Sequence, residues 1–265
     1  VVELRDATHL TGKTTWETED LIKEELDDKS VRVASIGSGG EKLVRYACIT
    51  NAKNRHIGRN GLGCVMGSKN LKALAIRGTK GVEVDDLQTL LKEVKQLYKD
   101  CRSDKMYYGR VGTPVKIMRH QKKATLATKN FQKMTFEGAD KVSGERMMEE
   151  KVKKVIACEM CAVACDHVNV IEEGEYKGTH ASIDFESLWA LGPLCGVDSL
   201  DAVTKAVQLC DTLGMDTIST GVTVAWAMEC FEKGIFTKED TDGLELNFGN
   251  HREMNELIRR IGIRE

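Results

Sequence analysis

Cys158-Glu-Met-Cys161-Ala-Val-Ala-Cys165 places three thiols within eight residues. Thiolates are the soft ligands that zinc and iron–sulfur clusters require, and three this close can reach one centre. The opposing reading is a set of buried free cysteines, because Cys packs as a small hydrophobe. Three at this spacing make that the weaker reading. The order is the reverse of the CxxxCxxC loop of radical enzymes, and the next cysteine and trailing proline of a bacterial ferredoxin run are missing. A [4Fe–4S] cluster would take its fourth ligand from elsewhere. Zinc stays open, with His167, His180 or Cys195 as the fourth ligand.

Two glycine loops could approach an anion. Gly37-Ser-Gly-Gly40 follows a β-like run and precedes a helical one, which suits backbone amides facing a phosphate at a helix start. It is not a dinucleotide fingerprint, since Lys42 stands where a glycine is needed. Gly58-Arg-Asn-Gly61-Leu-Gly63-Cys-Val-Met-Gly67-Ser-Lys69 likewise lacks the Gly-Lys-Ser/Thr order of a nucleotide-binding loop. Ordinary tight turns compete on even terms, and Arg59 and Lys69 tilt the reading towards an anionic ligand.

Asp211-Thr-Leu-Gly214-Met-Asp216 sets two carboxylates around a helix-stopping glycine, able to accept from the N–H groups of a heterocycle. A helix end followed by the next N-cap explains the same residues and is the stronger reading in isolation. Glu186, in Asp-Phe-Glu-Ser-Leu-Trp-Ala-Leu-Gly, sits among apolar neighbours where burial would raise its pKa and suit proton transfer. In isolation a solvated helix-start glutamate is the stronger reading. His9, His56, His120 and His251 have no partners that the sequence reveals.

The elements that must hold these residues are of two kinds. Residues 1–80 mix short strands with glycine turns: VRVASIG (31–37) is a compact β run, a helix is expected at EKLVRYA, and KALAIRG (72–78) reads as a buried strand. LQTLLKEVKQLYKDC (87–101) has helical spacing, with Asp85-Asp86 at the favourable end of its dipole. From Met106 to Gly144 the chain is basic and irregular. Helical patterns return at ERMMEEKVKKVIACEM, whose lysines read as a solvated face, and continue through FESLWALG, LDAVTKAVQLCDTLG, TGVTVAWAMECFEKG and NHREMNELIRRIG. Several end on glycine, as helices commonly do. The expected fold class is α+β: residues 1–80 are the end of a β-rich domain, and 81–265 a mostly helical one.

Length, at 265 residues, permits one large domain or two ordinary ones. With 41% hydrophobic and 30% charged residues the chain is not disordered, and a net charge of −2 argues against nucleic acid as a partner. Aromatics at 5% and two prolines, Pro114 and Pro193, argue against an all-β sandwich. No apolar run approaches the roughly 18 to 20 residues that span a bilayer, and VVELRDATHL is not a signal peptide, so no membrane role and a cytoplasmic setting are expected. Nine cysteines without a secretory signal read as thiols or metal ligands rather than disulfides. The absent initial Met and the helical ending EMNELIRRIGIRE read as a piece of a longer protein.

Taken together, IGSGGEKLV (36–44), GRNGLGCVMGSKNLKALAIRG (58–78), CEMCAVAC (158–165), FESLWALGPLCGV (185–197) and CDTLGMDTISTGVTVAWAMECFEKG (210–234) resemble the aldehyde ferredoxin oxidoreductase family of tungsten enzymes. The resemblance implies an N-terminal β domain cradling a tungsten (or molybdenum) bis-pyranopterin, closed over by helical domains. It implies oxidation of a small aldehyde to its acid, with electrons passing through a [4Fe–4S] cluster to ferredoxin, and it allows a magnesium ion bridging the pterin phosphates. By this resemblance Cys158, Cys161 and Cys165 are cluster ligands. Arg59, Asn60, Gly61 and Gly63 lie along the pterin phosphates. Asp211, Gly214, Met215 and Asp216 form a pterin motif with Met in place of the usual Leu, and Glu186 handles protons. The fourth cluster cysteine and an active-site histidine of the family would lie beyond this chain. Where some members carry an ExxH interface metal site, this chain reads Lys205-Ala-Val-Gln208, which argues against that metal while leaving a homodimer open. Two other readings remain: the same architecture acting on another substrate such as an aromatic acyl thioester, and a non-enzymatic zinc-stabilised helical module. Substrate-pocket residues would separate the first from aldehyde oxidation, and colour would reveal the second.

Overall fold

A computed structural model describes residues 2–102 and 108–265, so Met106 and Tyr107, the start of the stretch read as basic and irregular, lie outside the described residues. The N-terminal part opens with α1 (Thr15–Glu25), which the sequence reading did not place. Its start is a reciprocal cap: Thr14 accepts from the Glu17 backbone N–H, and the Glu17 carboxylate accepts from that of Thr14. Strands β1 (Arg32–Ser35), β2 (Ile49–Asn51), β3 (Arg55–Ile57) and β4 (Ala73–Ile76) pair antiparallel in the order β3-β2-β1-β4. β4 is an edge strand with Leu74 and Ile76 exposed, so the burial expected at KALAIRG is not met.

Between the strands lie two short helices, α2 (Ser38–Glu41) and α3 (Leu62–Ser68). The helix expected at EKLVRYA stops at Glu41, because Leu43 takes a left-handed φ of 59° and Val44 N–H bonds back to the Gly39 carbonyl. Helix α4 (Leu87–Cys101) forms as expected, with Asp86 capping the Thr89 N–H. It buries none of its residues, and the Tyr98 hydroxyl reaches from it to the Met160 carbonyl at 3.1 Å.

Beyond α4 come α5 (Tyr108–Val111), a 3-10 turn at Thr113–Val115, α6 (Lys116–Lys122) and α7 (Gly144–Glu150), with turns across 123–143. The helix expected to run on through KVKKVIACEM ends at α7. Residues Val152–Ile156 are instead β5, which pairs antiparallel with β6 (Asp166–Val170), itself paired with β7 (His180–Ser182). Val152, Val155 and Ile156 are β-branched and have a partner strand to pack against, which outweighs the helical spacing. The lysines of this segment therefore lie on a strand, and the three clustered cysteines sit in the 157–165 loop of a β-hairpin.

The main core is helical. α8 (Phe185–Leu191), α9 (Leu200–Leu213), α10 (Thr217–Glu232) and α11 (His251–Ile263) bury Leu188, Leu191, Val203, Ala206, Met228 and Ile258 against one another. Val44 and Ala47, from the segment after α2, belong to the same core. The strand-bearing part and the helical part thus share one apolar interior. A small second core, with Leu10, Ile22, Val31 and Val33, lies under α1. The fold is α+β.

Candidate functional site

α9 ends at Gly214, which takes the left-handed conformation (φ 71°, ψ 48°), and α10 begins two residues later on Asp216. The turn between them is fastened to the segment after α2. Cys48 N–H bonds the Gly214 carbonyl at 2.9 Å, Asp216 N–H bonds the Tyr46 carbonyl at 3.1 Å, and Ala47 bridges Met215. Glycine makes this approach feasible: a Cβ on Gly37 would stand 2.4 Å from the Leu213 carbonyl carbon and oxygen. The face of Gly37 expected to meet a phosphate is therefore filled by the end of α9. The second glycine loop behaves alike, since a Cβ on Gly61 would meet Arg45 O at 2.1 Å and one on Gly63 would meet Cys48 O at 2.4 Å. Gly61 and Gly63 are buried packing positions, Asn60 is exposed with a φ of 80°, and Lys69 is exposed.

This joint floors a cavity of about 450 Å³. Its walls bring together Cys158, Cys161 and Cys165 from the hairpin loop, Glu186 from α8, and Asp211, Met215 and Asp216 from the α9–α10 turn. Arg55, His56 and Arg59 from β3 and the loop after it complete the ring. Segments far apart in sequence thus meet at one place, and of the second glycine loop Gly58 and Arg59 line it while Asn60, Gly61 and Gly63 do not.

The two aspartates play different parts. Asp216 is the N-cap of α10: its carboxylate accepts from the Ile218 N–H at 3.3 Å and the Ser219 N–H at 3.0 Å, and pairs with the Arg59 Nε at 3.1 Å. Capping and an ion pair account for its oxygens. Asp211 is 3% exposed and accepts from His56 Nε2 at 2.9 Å through Oδ1, while its buried Oδ2 has no protein partner. An unsatisfied buried carboxylate oxygen is costly and calls for a donor. The residues present fit a heterocycle edge with N–H groups, and Arg59, whose side chain is 58% exposed, fits an anion beside it.

His56 is what the sequence reading missed. Its ring is held from the other side by Thr50 Oγ1 at 3.1 Å and Cys48 Sγ at 3.4 Å from Nδ1. Burial opposes the imidazolium, but the hydrogen bonds with Asp211 and Cys48 outweigh it and push the group up to about 10. Burial pushes the Asp211 carboxyl up in turn, against the pull of His56. The raised His56 favours its imidazolium form against Asp211. Arg55, beside it on β3, pairs with Asp166, next to Cys165.

Glu186 fits the reading of a solvated helix-start glutamate and lacks the apolar burial of the alternative. Its side chain is 43% exposed, and Lys116 Nζ on α6 stands 3.5 Å from Oε1. The cysteines are exposed at 158 and 161 and half-buried at 165, where burial and then the neighbouring thiols push the Cys165 thiol up. Among the described residues no group of three or more His, Cys, Asp and Glu side chains is gathered closely enough to hold a metal ion. The three thiols share a wall without converging on one point.

The other proposed zinc ligands lie apart. Cys195 is fully buried in the helical core, with its thiol against the Ala190 and Gly221 carbonyls. His180 stacks on Trp16. His167 is buried behind the loop, its Nδ1 2.9 Å from the Cys165 carbonyl. Of the remaining histidines, His9 pairs with Glu25, His120 contacts Thr125 and Phe185, and His251 contacts Tyr176. Among the described residues no helix is long and apolar enough to cross a membrane.

Residues 1–78 match the family profile of the aldehyde ferredoxin oxidoreductase N-terminal domain, and residues 89–265 that of the enzyme's domains 2 and 3. The whole chain is 38% identical to a tungsten-containing aldehyde ferredoxin oxidoreductase of Pyrococcus furiosus and 39% identical to one of Pyrococcus horikoshii. It spans 44% of the length of each. An aliphatic sulfonate oxidoreductase WOR-like subunit of Pyrococcus furiosus is 28% identical over 98% of the chain and 44% of its own length. In structure, the active-site complex BamBC of benzoyl coenzyme A reductase, bound to 1,5-dienoyl-CoA, superimposes with a TM-score of 0.76. It is 27% identical over 99% of this chain and 42% of that one.

Proposed function

Because this chain belongs to the aldehyde ferredoxin oxidoreductase family, we propose that its full-length protein oxidises an aldehyde to the carboxylic acid and passes the electrons to ferredoxin. One observation carries the reading. Asp211, buried and with a free oxygen, stands in the same cavity as Arg59, Glu186 and the three clustered cysteines. The net reaction consumes the aldehyde and one water and releases the acid, two protons and two electrons. A tungsten bis-pyranopterin and an iron–sulfur cluster, when bound, supply the two-electron oxidation and its division into single electrons.

The chain's own residues supply placement and protons. Asp211 Oδ2 would accept from N–H groups of the pterin, and Arg59 would offer the guanidinium N–H groups that Asp216 and Ser219 leave free to an anionic part of it. Gly214 and Met215 keep the turn that carries Asp211 against the Ala47–Cys48 backbone. Glu186, half-exposed on the wall and balanced by Lys116, takes up a proton released as the aldehyde is oxidised. Cys158, Cys161 and Cys165 are assigned as three cluster ligands on donor chemistry and spacing, with the fourth outside this chain.

Aldehyde is favoured over an acyl thioester or a sulfonate because the aldehyde enzymes are 38–39% identical to this chain, against 27% and 28% for the others. The test is metal and pterin analysis of the full-length protein together with aldehyde-dependent reduction of a viologen dye. Tungsten, pterin, iron and dye reduction in one preparation support the reading. A colourless zinc protein, or a tungsten protein inert to every aldehyde tried, would overturn it.

A further inference from the structure

His56 and Asp211 are 155 positions apart, on β3 and α9, yet Nε2 and Oδ1 stand 2.9 Å apart. We propose that His56 is a positioning residue for cofactor binding: pinned by Thr50 and Cys48, its imidazole holds the Asp211 carboxylate so that Oδ2 faces the N–H donors of the pterin. The inference rests on the pterin reading above and extends it to a residue outside the motif.

Three features of the geometry carry it. First, both ring nitrogens are engaged. Nδ1 meets Thr50 Oγ1 at 3.1 Å and Cys48 Sγ at 3.4 Å, so the ring cannot flip without losing contacts on both sides. Second, the Asp211 backbone is fixed independently, because Thr15 Oγ1 donates to its carbonyl at 2.7 Å. Side-chain orientation is then the remaining freedom, and His56 removes it. Third, only one carboxylate oxygen is consumed. Oδ2 is buried without a protein partner while both residues line the cavity. A rigid ring that takes one oxygen and leaves its twin free is a means of aiming an acceptor. His56 also works against the burial that raises the Asp211 carboxyl, since its hydrogen bond and charge pull it down. Asp216 has no comparable arrangement, since the start of α10 and Arg59 use its oxygens.

The experiment compares His56→Gln, His56→Asn and His56→Leu in the full-length protein. A glutamine amide reaches the place of Nε2 and can still donate to Asp211, an asparagine amide reaches only the place of Nδ1, and leucine donates nothing. The readouts are pterin per mole of folded protein, measured as its fluorescent oxidation product, and the melting temperature of each cofactor-stripped variant. His56→Gln should retain pterin near the wild-type level, whereas His56→Asn and His56→Leu should bind it roughly tenfold more weakly or worse. The loss should not follow the order of melting temperatures, as a purely structural role would require. Should His56→Leu not fold, the Gln and Asn pair still decides. Equal pterin in those two, with the wild type loaded, overturns this inference alone. A wild-type protein without pterin overturns the cofactor reading, and this inference with it.

Discussion

Replacing Gly37 by Ala tests whether the first glycine loop is a joint or a phosphate cradle. Gly37 has φ −87° and ψ −170°, open to any residue, so backbone strain plays no part and the effect is steric. The added Cβ would stand 2.4 Å from the Leu213 carbonyl carbon and oxygen and 2.9 Å from Gly214 N. Ordinary carbon contacts lie near 3.5 to 4.0 Å, so the end of α9 must retreat by about 1 Å. Both neighbours are backbone and cannot swing aside as a side chain would. Overpacking of this kind costs roughly 1 to 3 kcal/mol, and a backbone neighbour places the cost at the upper end. The shift falls on the Cys48–Gly214 hydrogen bond and the Ala47–Met215 bridge, which carry the turn bearing Asp211. The melting temperature of the cofactor-stripped full-length protein should drop by a few degrees. Pterin content should fall with it. A cradle for phosphate would lose pterin while the stripped protein melted as before, and that result would refute the joint.

The other expectations are shorter to state. Cys161→Ser should strip most of the iron from the full-length protein by removing one thiolate of the hairpin loop, and full iron content in that variant ends the cluster assignment. Glu186→Gln should slow turnover by about 10² to 10⁴ with tungsten content unchanged, and near-normal turnover in a fully metallated variant removes Glu186 from proton transfer. The His56–Asp211 pair should make stability depend on pH. A histidine raised from 6.5 to about 10 contributes stability that is complete below pH 6.5 and lost as pH rises through about 10. Urea unfolding of wild type against His56→Gln, which cannot titrate, should show their difference shrinking by on the order of 1 kcal/mol between those limits, and a flat difference contradicts the ion pair.

Local signals in the sequence placed every long helix except α1. α4, α8, α9, α10 and α11 follow from periodicity with polar caps, among them Asp86, Asp184, Ser199 and Asp216, and from the stop at Gly214. α1 is equally legible, because Thr14-x-x-Glu17 is a capping pattern. β5 was not legible. Val152–Ile156 reads Val-Lys-Lys-Val-Ile, without strict alternation, inside a run that has helical spacing, and the deciding fact is its partner β6, which lies beyond the cysteine loop. Tertiary pairing settles such a segment where propensity is nearly balanced.

The site shows the same division more sharply. Cysteine spacing and the Asp–Gly–Asp turn are local patterns, and their residues do line one cavity. Division of labour between Asp211 and Asp216 is not local. Each is a carboxylate beside a helix end, and sequence gives both the same chance of being a cap. What separates them is that Asp216 precedes the free N–H groups of α10, while Asp211 lies inside the last turn of α9, where N–H groups are already bonded within the helix. A carboxylate at that position cannot serve as a cap and needs a donor from elsewhere. Its donor comes from β3, where His56 Nε2 stands 2.9 Å from Oδ1, a partner 155 positions away that no local pattern reveals. The glycines set apart as ligand loops serve the site indirectly: by letting backbone meet backbone at Gly37, Gly61 and Gly63, they set the distance over which His56 and Asp211 can pair.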